Sequence, residues 1–354
     1  MQAYITSTGV ISPQAEINAG NFPETPQLYE GNRLKCVDPD YKEHIPAAML
    51  RRMGRVLKLG VGAGLICLKN SSIEVPDGII TGTGLGCVED SENFLISIKD
   101  NNENFLTPTP FIQSTHNSIS GQIALFSKCH HYNFTYVHRS FSFESALLDA
   151  LMQLDEKTET KNMLVGSADE LTDRLFIILQ RLGYWRNDIE SNLHLLQPSS
   201  KGTIAGEGAS FFLLSNTKTP DCHAAIADVA MFYKPENTEE TKKQIQAFLD
   251  RNNISMNDVD VVLTGINGDI SNDAVYYDTF KMFDFDNLSY YKHLCGEYNT
   301  SSAFATYIAS LALKNNTLPS YFNLKGKQTN KVKRVLLYNH FFNVNHSLVL
   351  LNQC

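Results

Sequence analysis

The sequence predicts a large layered α/β protein with an internally duplicated plan. Three observations carry this expectation. Runs rich in aromatic and β-branched residues alternate with helical patterns along the whole chain. The strand–helix–strand rhythm of residues 1–217 returns over residues 218–354, without the short period of a solenoid. Hydrophobic residues make up 43% of the 354 positions and charged residues 19%, the balance of a packed core.

The elements follow in order. "AYITSTGVISP" opens as a strand and breaks at Gly9 and Pro13. "IPAAMLRRMGRVLKLGVGAGLICLKN" has helical spacing throughout, with Pro46 near its start. "GIITGTGLG" reads as a buried strand ending in glycines, and "CVEDSENFLISIKDNNENFL" as a helix stopped by "TPTP". "NSISGQIALFSK" is a further helix. Next, the strand "YNFTYVHRSFSF" turns directly into the helix "SALLDALMQL", with Glu144 at the change and no Gly or Pro between them. "NMLVGSADE" is a strand with a loop after it, residues 186–203 are loop, and "GEGASFFLLSN" is a strand entered through glycines. Past "TKTPDC", "HAAIADVAMF" is a strand, "TEETKKQIQAFLDRNN" an amphipathic helix, and "VDVVLTGINGD" a strand with a glycine loop. "SSAFATYIASLALKNN" is a helix, and "KRVLLYNHFF" and "HSLVLL" are paired closing strands.

The net charge of -8 argues against general nucleic-acid binding. No apolar run approaches the roughly 20 residues that cross a bilayer. The N-terminus lacks a basic region followed by an apolar one, so no signal peptide is expected. Seven cysteines, scattered without framework spacing, fit free thiols in a reducing compartment. A cytoplasmic protein that touches neither nucleic acid nor membrane is expected.

"TGTGLG" has the wrong glycine spacing for a dinucleotide loop and reads as a tight turn, so no cofactor is expected. Neighbours in "KCHH" would point to opposite faces of a strand, which argues against a metal. The corner "SFESA" lacks the flanking glycines of a serine-hydrolase elbow. Glu144 then has two readings. One is a solvated carboxylate favoured by the helix dipole, and the other is a buried carboxylate at the focus of a cleft.

Five segments in order bear on that choice. "YITSTGVISP", "IPAAMLRRMGRVLKLGVGAGL", "AGEGASFFLLS", "VDVVLTGINGDISND" and "YYKHLCGEYNTSSAFATYIASLALKNNTLP" together resemble the β-ketoacyl synthases, which condense acyl and malonyl units borne on acyl carrier protein. The resemblance spans nearly the whole chain, which is short for that family. It implies a thiolase-like duplicated α/β/α/β/α layered fold, with halves at 1–217 and 218–354. It also implies that "YNFTYVHRSFSF" is the strand that pairs across a dimer, buried on both sides.

The match shows losses as well. The synthases' cysteine nucleophile falls on Glu144, and their two histidines fall on Gly265 and Glu297. Their C-terminal glycine loop appears as "HFFNVN", with Phe342 at a glycine position and Asn345 kept. A carboxylate cannot hold an acyl chain as a thioester. Decarboxylation builds an enolate that needs hydrogen-bond donors, which Gly265 and Glu297 do not provide. The resemblance therefore extends to the chain-length factors of type II polyketide and polyene systems, which lack the cysteine and pair with an active synthase. It places Phe143, Ser145, His116 and Cys295 around the vacated pocket or the dimer contact, with a structural hydrogen-bonding role for His116 and for His293. The implied partners are a ketosynthase in a heterodimer, or a second copy in a homodimer, together with acyl carrier protein and an acyl chain. Two other readings stay open. Glu144 and Glu297 could share a proton in a repurposed acyl-thioester dehydratase or hydrolase, or the chain could be a homodimeric acyl-binding scaffold.

Overall fold

A computed structural model describes residues 2–155, 159–197, 200–324 and 329–354. Its strands are β1 Ala3–Ile11, β2 Gly78–Gly82, β3 Tyr132–Tyr136, β4 Asn162–Asp169, β5 Gly208–Ser215, β6 Ala224–Tyr233, β7 Val261–Thr264, β8 Leu288–Tyr290, β9 Thr317–Leu318, β10 Thr329–Asn330, β11 Arg334–Phe341 and β12 Asn345–Asn352. β9 and β10 form a small ladder of their own, and the other ten strands run in the order β3-β2-β4-β5-β1-β6-β12-β11-β7-β8. Taken outward from the middle, the order is the same on both sides. β1, β5, β4, β2, β3 on one side correspond to β6, β12, β11, β7, β8 on the other. Among the described residues, the two five-strand runs pair with each other only where Ala3–Ile5 of β1 meets Ala224–Ile226 of β6.

Layering follows from side-chain alternation along each strand. Val165 and Phe212 point to one face, together with Val261, Val335 and Val349 of the second run. Between these faces lie the helices Ser142–Asp155 and Ser301–Asn315, and the latter is buried from Ser301 to Leu313. Leu164, Phe211 and Leu213 point the other way, onto the helix Arg55–Lys69. Val262, Leu336 and Leu350 do the same against the helix Thr238–Arg251. Helix, sheet, helix, sheet and helix are thus stacked as a thiolase-like α/β protein. Among the described residues, no helix is long and apolar enough to cross a membrane.

Four expectations need correction. The long helix expected over 45–70 is broken, with a short turn Ala47–Leu50 and the main helix starting only after Gly54. The break seats two carboxylates. A Cβ at Gly54 would lie 2.5 Å from Asp90 Oδ2, and the Arg55 amide donates to Glu89 Oε2 at 2.6 Å. The stretch after "NMLVGSADE", expected as loop, contains the helix Asp173–Arg181, capped by Thr172. Strand β3 is not buried on both sides in the single chain. It is the sheet's edge, with Tyr132 39% and Phe134 47% exposed. Finally, not all cysteines are free, since Cys222 and Cys354 form a disulfide with Cα atoms 6.1 Å apart.

Candidate functional site

The strand-to-helix corner lies just before Glu144, not at it. After β3 the chain turns through a short 3-10 turn, Arg139–Phe141, with Arg139 in the left-handed region at φ 49°. Ser142 braces this turn, accepting from the His138 amide and donating to the Arg139 carbonyl, both at 2.7 Å. The Ser142–Phe143 backbone comes so close to Gly82 that a Cβ there would lie 2.6 Å from the Ser142 carbonyl carbon. Glu144 is the third residue of the helix that follows and is fully buried, which rejects the solvated reading. Ser347 on β12 donates to its Oε1 at 2.7 Å, while Oε2 has no hydrogen bond. Burial pushes the Glu144 carboxyl above its ordinary pKa, opposed in part by the Ser347 and Ser302 hydroxyls and by the charge of Lys292.

Lys292 organises this region. It is fully buried and donates to Glu297 Oε1 at 2.6 Å and to Ser301 Oγ at 2.7 Å. Asn267 donates to the other oxygen of Glu297 at 2.7 Å. Glu297 is held in place by its backbone, because its amide donates to the Ile204 carbonyl at 2.8 Å and its own carbonyl accepts from Gly206 at 3.0 Å. Gly265 leaves no room for a side chain, since a Cβ there would fall 2.0 Å from Asn339 Oδ1 and 2.6 Å from Tyr276 Oη. Asn339 Oδ1 in turn accepts from Tyr291 at 3.1 Å. Tyr291 lies within the field of both Glu297 and Glu144. Positions 144, 265 and 297 therefore gather around Lys292, Tyr291 and Asn339. Glu297 has Lys292 and Asn267 on its two oxygens, whereas Glu144 has only Ser347 on one of its own.

The loop where glycines were missed keeps a glycine-like backbone. Phe342 and Asn343 both lie in the left-handed region, at φ 51° and 52°, in the turn joining β11 to β12. For a non-glycine residue this costs of order 1–2 kcal/mol. The ring of Phe342 offsets part of the cost by edge contacts to Tyr184, at 4.8 Å, and Phe341, at 4.5 Å. Asn345 ties the hairpin to the elbow, donating to Ser140 Oγ at 3.0 Å.

A cavity of about 200 Å³ opens beside this hairpin, walled by Leu175, Leu179, Trp185, Glu297, His340 and Phe342. Leu175 and Leu179 belong to the helix Asp173–Arg181, so the segment expected as loop forms one wall. Glu144, Gly265, Phe143 and Ser145 lie outside the lining. Phe143 packs on Phe212 and Ser145 faces the Met231 sulfur at 3.8 Å. Cys295 is buried away from the cavity, its thiol directed at the Gly296 carbonyl at 3.3 Å, and burial pushes its pKa up. His116 is exposed, with its ring against Gly86, where a Cβ would meet Cδ2 at 2.6 Å. His293 is buried among Tyr290, Tyr321 and Phe322 with neither ring nitrogen hydrogen-bonded, so its role is packing. "TGTGLG" is a tight turn as expected, its Gly84 amide donating to the buried Asp169 at 2.7 Å. Sequence reading missed Lys292, Trp185 and Arg139. Only Lys292 carried a usable signal, five residues before Glu297 in a matched motif.

Residues 37–181 match the family model of the β-ketoacyl synthase N-terminal domain. No curated protein matches the chain in sequence. Among solved structures, the ishigamide ketosynthase/chain length factor superposes with TM-score 0.81 at 18% identity, over 100% of this chain and 99% of that one. A β-ketoacyl synthase from Burkholderia phymatum STM815 gives 0.77 at 18%, again over 100% and 99%. A ketosynthase in complex with its chain length factor from Xenorhabdus doucetiae gives 0.78 at 16%, over 99% and 98%. The chain thus resembles the β-ketoacyl synthases, carrying a match to their N-terminal domain over residues 37–181 and a thiolase-like ketosynthase fold over its whole length.

Proposed function

We propose that the chain is a non-catalytic, chain-length-factor-like subunit that pairs with an active β-ketoacyl synthase in type II polyketide, polyene or fatty-acid-like biosynthesis. One observation carries the reading. At the positions that the sequence resemblance assigns to the synthases' thiol and two imidazoles, this chain has a buried carboxyl on Ser347, a glycine whose side-chain space is occupied, and a carboxylate paired with Lys292. None of these can hold an acyl thioester or donate two hydrogen bonds to an enolate. The first half, 1–217, supplies the elbow in this reading, and the second, 218–354, supplies the altered histidine loops.

The edge strand supports pairing. Tyr132 and Phe134 stack at 6.3 Å on an unpaired sheet edge, flanked by exposed Val137, Leu125 and Met152. A free apolar edge of this kind is an aggregation liability unless a partner covers it. An acyl carrier protein bringing the growing chain completes the assembly. Co-expression with each ketosynthase encoded alongside, followed by affinity capture of the tagged chain, tests the proposal. A stable one-to-one complex with a condensing synthase is expected. A chain that stays monomeric beside all of them sinks the idea.

A further inference from the structure

The disulfide sits where the fold itself sets two thiols side by side. Backbone hydrogen bonds fix both cysteines without help from the covalent bond. The Cys222 amide donates to the Thr219 carbonyl at 3.2 Å, and the His223 amide to the Ile5 carbonyl at 2.8 Å. At the other end of the ladder Asn352 pairs with Ala225, and the Gln353 amide donates to the Lys333 carbonyl at 2.8 Å. The two sulfurs therefore hang from adjacent strand ends, with Cα atoms 6.1 Å apart, inside the span that a disulfide bridges. Breaking the S–S bond removes none of these hydrogen bonds, so the reduced thiols stay within reach of each other.

Access separates this pair from the other cysteines. Cys222 and Cys354 are half-buried at the surface. Cys36, Cys67, Cys87, Cys129 and Cys295 are buried free thiols. Burial pushes the Cys67 and Cys87 thiols up to about 12, which keeps them protonated and unreactive at neutral pH. A thiolate arriving from solution thus meets one pair only. The segment that carries Cys354 also reaches the central buried helix, where Gln353 Nε2 donates to the Leu313 carbonyl at 3.4 Å in the last turn of Ser301–Asn315.

From this geometry we propose that Cys222 and Cys354 form a reversible redox site of the folded protein, which exchanges with a small thiol and its disulfide. The thiolate of the small molecule attacks one sulfur of the pair. A mixed disulfide forms, the Cys222–Cys354 bond breaks, and the other cysteine leaves as a thiolate and takes up a proton. A second small thiolate attacks the mixed disulfide and releases the remaining cysteine, which is protonated in turn. The protein has then gained two electrons and two protons, and the two small thiols have been oxidised to their disulfide. The reverse sequence, begun by a cysteine thiolate on the small disulfide, restores the bond. The β6–β12 ladder persists in both states. The proposal does not depend on the partner reading, because a chain that pairs with no synthase still presents the same two sulfurs.

The purified full chain is equilibrated without denaturant in mixtures of reduced and oxidised glutathione, quenched with acid, and alkylated for intact mass and peptide mapping. The same balance of oxidised and reduced chain should be reached at each ratio from either starting state, with the alkyl groups on Cys222 and Cys354. Labelling of the five buried cysteines should lag by roughly tenfold or more, since it waits for a wider opening of the fold. Cys222→Ser should leave Cys354 carrying a single glutathione at oxidising ratios, and Cys354→Ser should do the same for Cys222. Comparison of melting curves confirms that each variant is folded. A bond that glutathione reduces only when urea is present overturns the proposal. So does a reduced chain that fails to re-form the bond on return to oxidised glutathione. Labelling of all seven cysteines at one rate also overturns it, because exchange then follows global unfolding.

Discussion

At the scale of single residues, the chemistry turns on two buried carboxyls treated differently by their surroundings. Glu297 has a cation, Lys292, at 2.6 Å. Glu144 has a hydroxyl and a distant share of the same charge. Removing one partner of a buried ion pair leaves the other uncompensated, at a cost of about 3–5 kcal/mol, whereas replacing both by apolar groups of similar volume is often neutral. Lys292→Met is therefore expected to destabilise strongly in urea titration, and Lys292→Met combined with Glu297→Leu to recover most of the loss. A single variant as stable as the parent would show that the pair carries no weight. For Glu144 the sign runs differently. Its folded pKa is raised, so the stability tied to its proton is complete below its ordinary pKa and is lost as pH rises through the folded value. Glu144→Gln cannot ionise, and its melting temperature should gain on the parent's as pH increases. Restoring sulfur alone should not restore condensation. Glu144→Cys still lacks imidazoles at 265 and 297, so acyl and malonyl carrier substrates should give no carbon–carbon bond, and a condensed product by mass spectrometry would refute the reading.

Among the secondary-structure elements, Glu170 shows how helix ends and burial compete. It follows β4 and accepts the Val56 amide at 3.0 Å and the Glu89 amide at 2.9 Å, in the first turns of the helices Arg55–Lys69 and Val88–Asp100. Two helix N-termini favour the ionised form. Burial outweighs them, and the carboxyl is raised from 4.5 to about 8. The folded protein then holds this proton more tightly than the unfolded chain does. Its contribution is complete below pH about 4.5 and is lost by pH about 8, at up to roughly 1.4 kcal/mol per pH unit. Glu170→Gln should remove that slope between pH 6 and 8, at a pH-independent cost from the lost acceptor. Parallel slopes for the two proteins would exclude Glu170 as the source. Most elements of this kind were legible. The strands around "GIITG" and "GASFFLLS" and the helix "SSAFATYIASLALKN" announced themselves by period and composition. The elements misjudged were those decided by distant contacts. Gly54 breaks a helix-patterned run to make room for Asp90, and Asp173–Arg181 is set by the cap at Thr172 and by packing on Trp185. The site divided in the same way. Positions 144, 265 and 297 could be placed by motif, but the Asn339 side chain that fills the space at Gly265 and the unmet N–H of Trp185 arise only when remote segments meet.

For the whole molecule, the disulfide is the feature no local pattern could reveal, since its two cysteines are 132 residues apart. Cys222 lies just before β6 and Cys354 just after β12, and these strands pair from Ala225 with Asn352 to Tyr233 with Asn345, with one register shift between Leu350 and Leu351. The sheet thus brings the two thiols together, and the bond closes a loop containing β7, β8, β11 and the helix Ser301–Asn315. On the chain-entropy estimate, closing a loop of that length restricts the unfolded state by about 5 kcal/mol, an upper figure because residual structure in the unfolded chain lowers it. The bond lies among the second five strands, so reduction should loosen that set first. Melting followed with and without reductant should show a clear drop in midpoint for the parent chain, while Cys354→Ser should melt at the reduced midpoint in both conditions. Alkylation with mass mapping should find Cys222 and Cys354 protected until reduction. If both label freely in the native oxidised protein, or if reductant leaves the midpoint unchanged, the covalent tie contributes nothing and the β6–β12 ladder holds this part of the sheet by hydrogen bonding and packing alone.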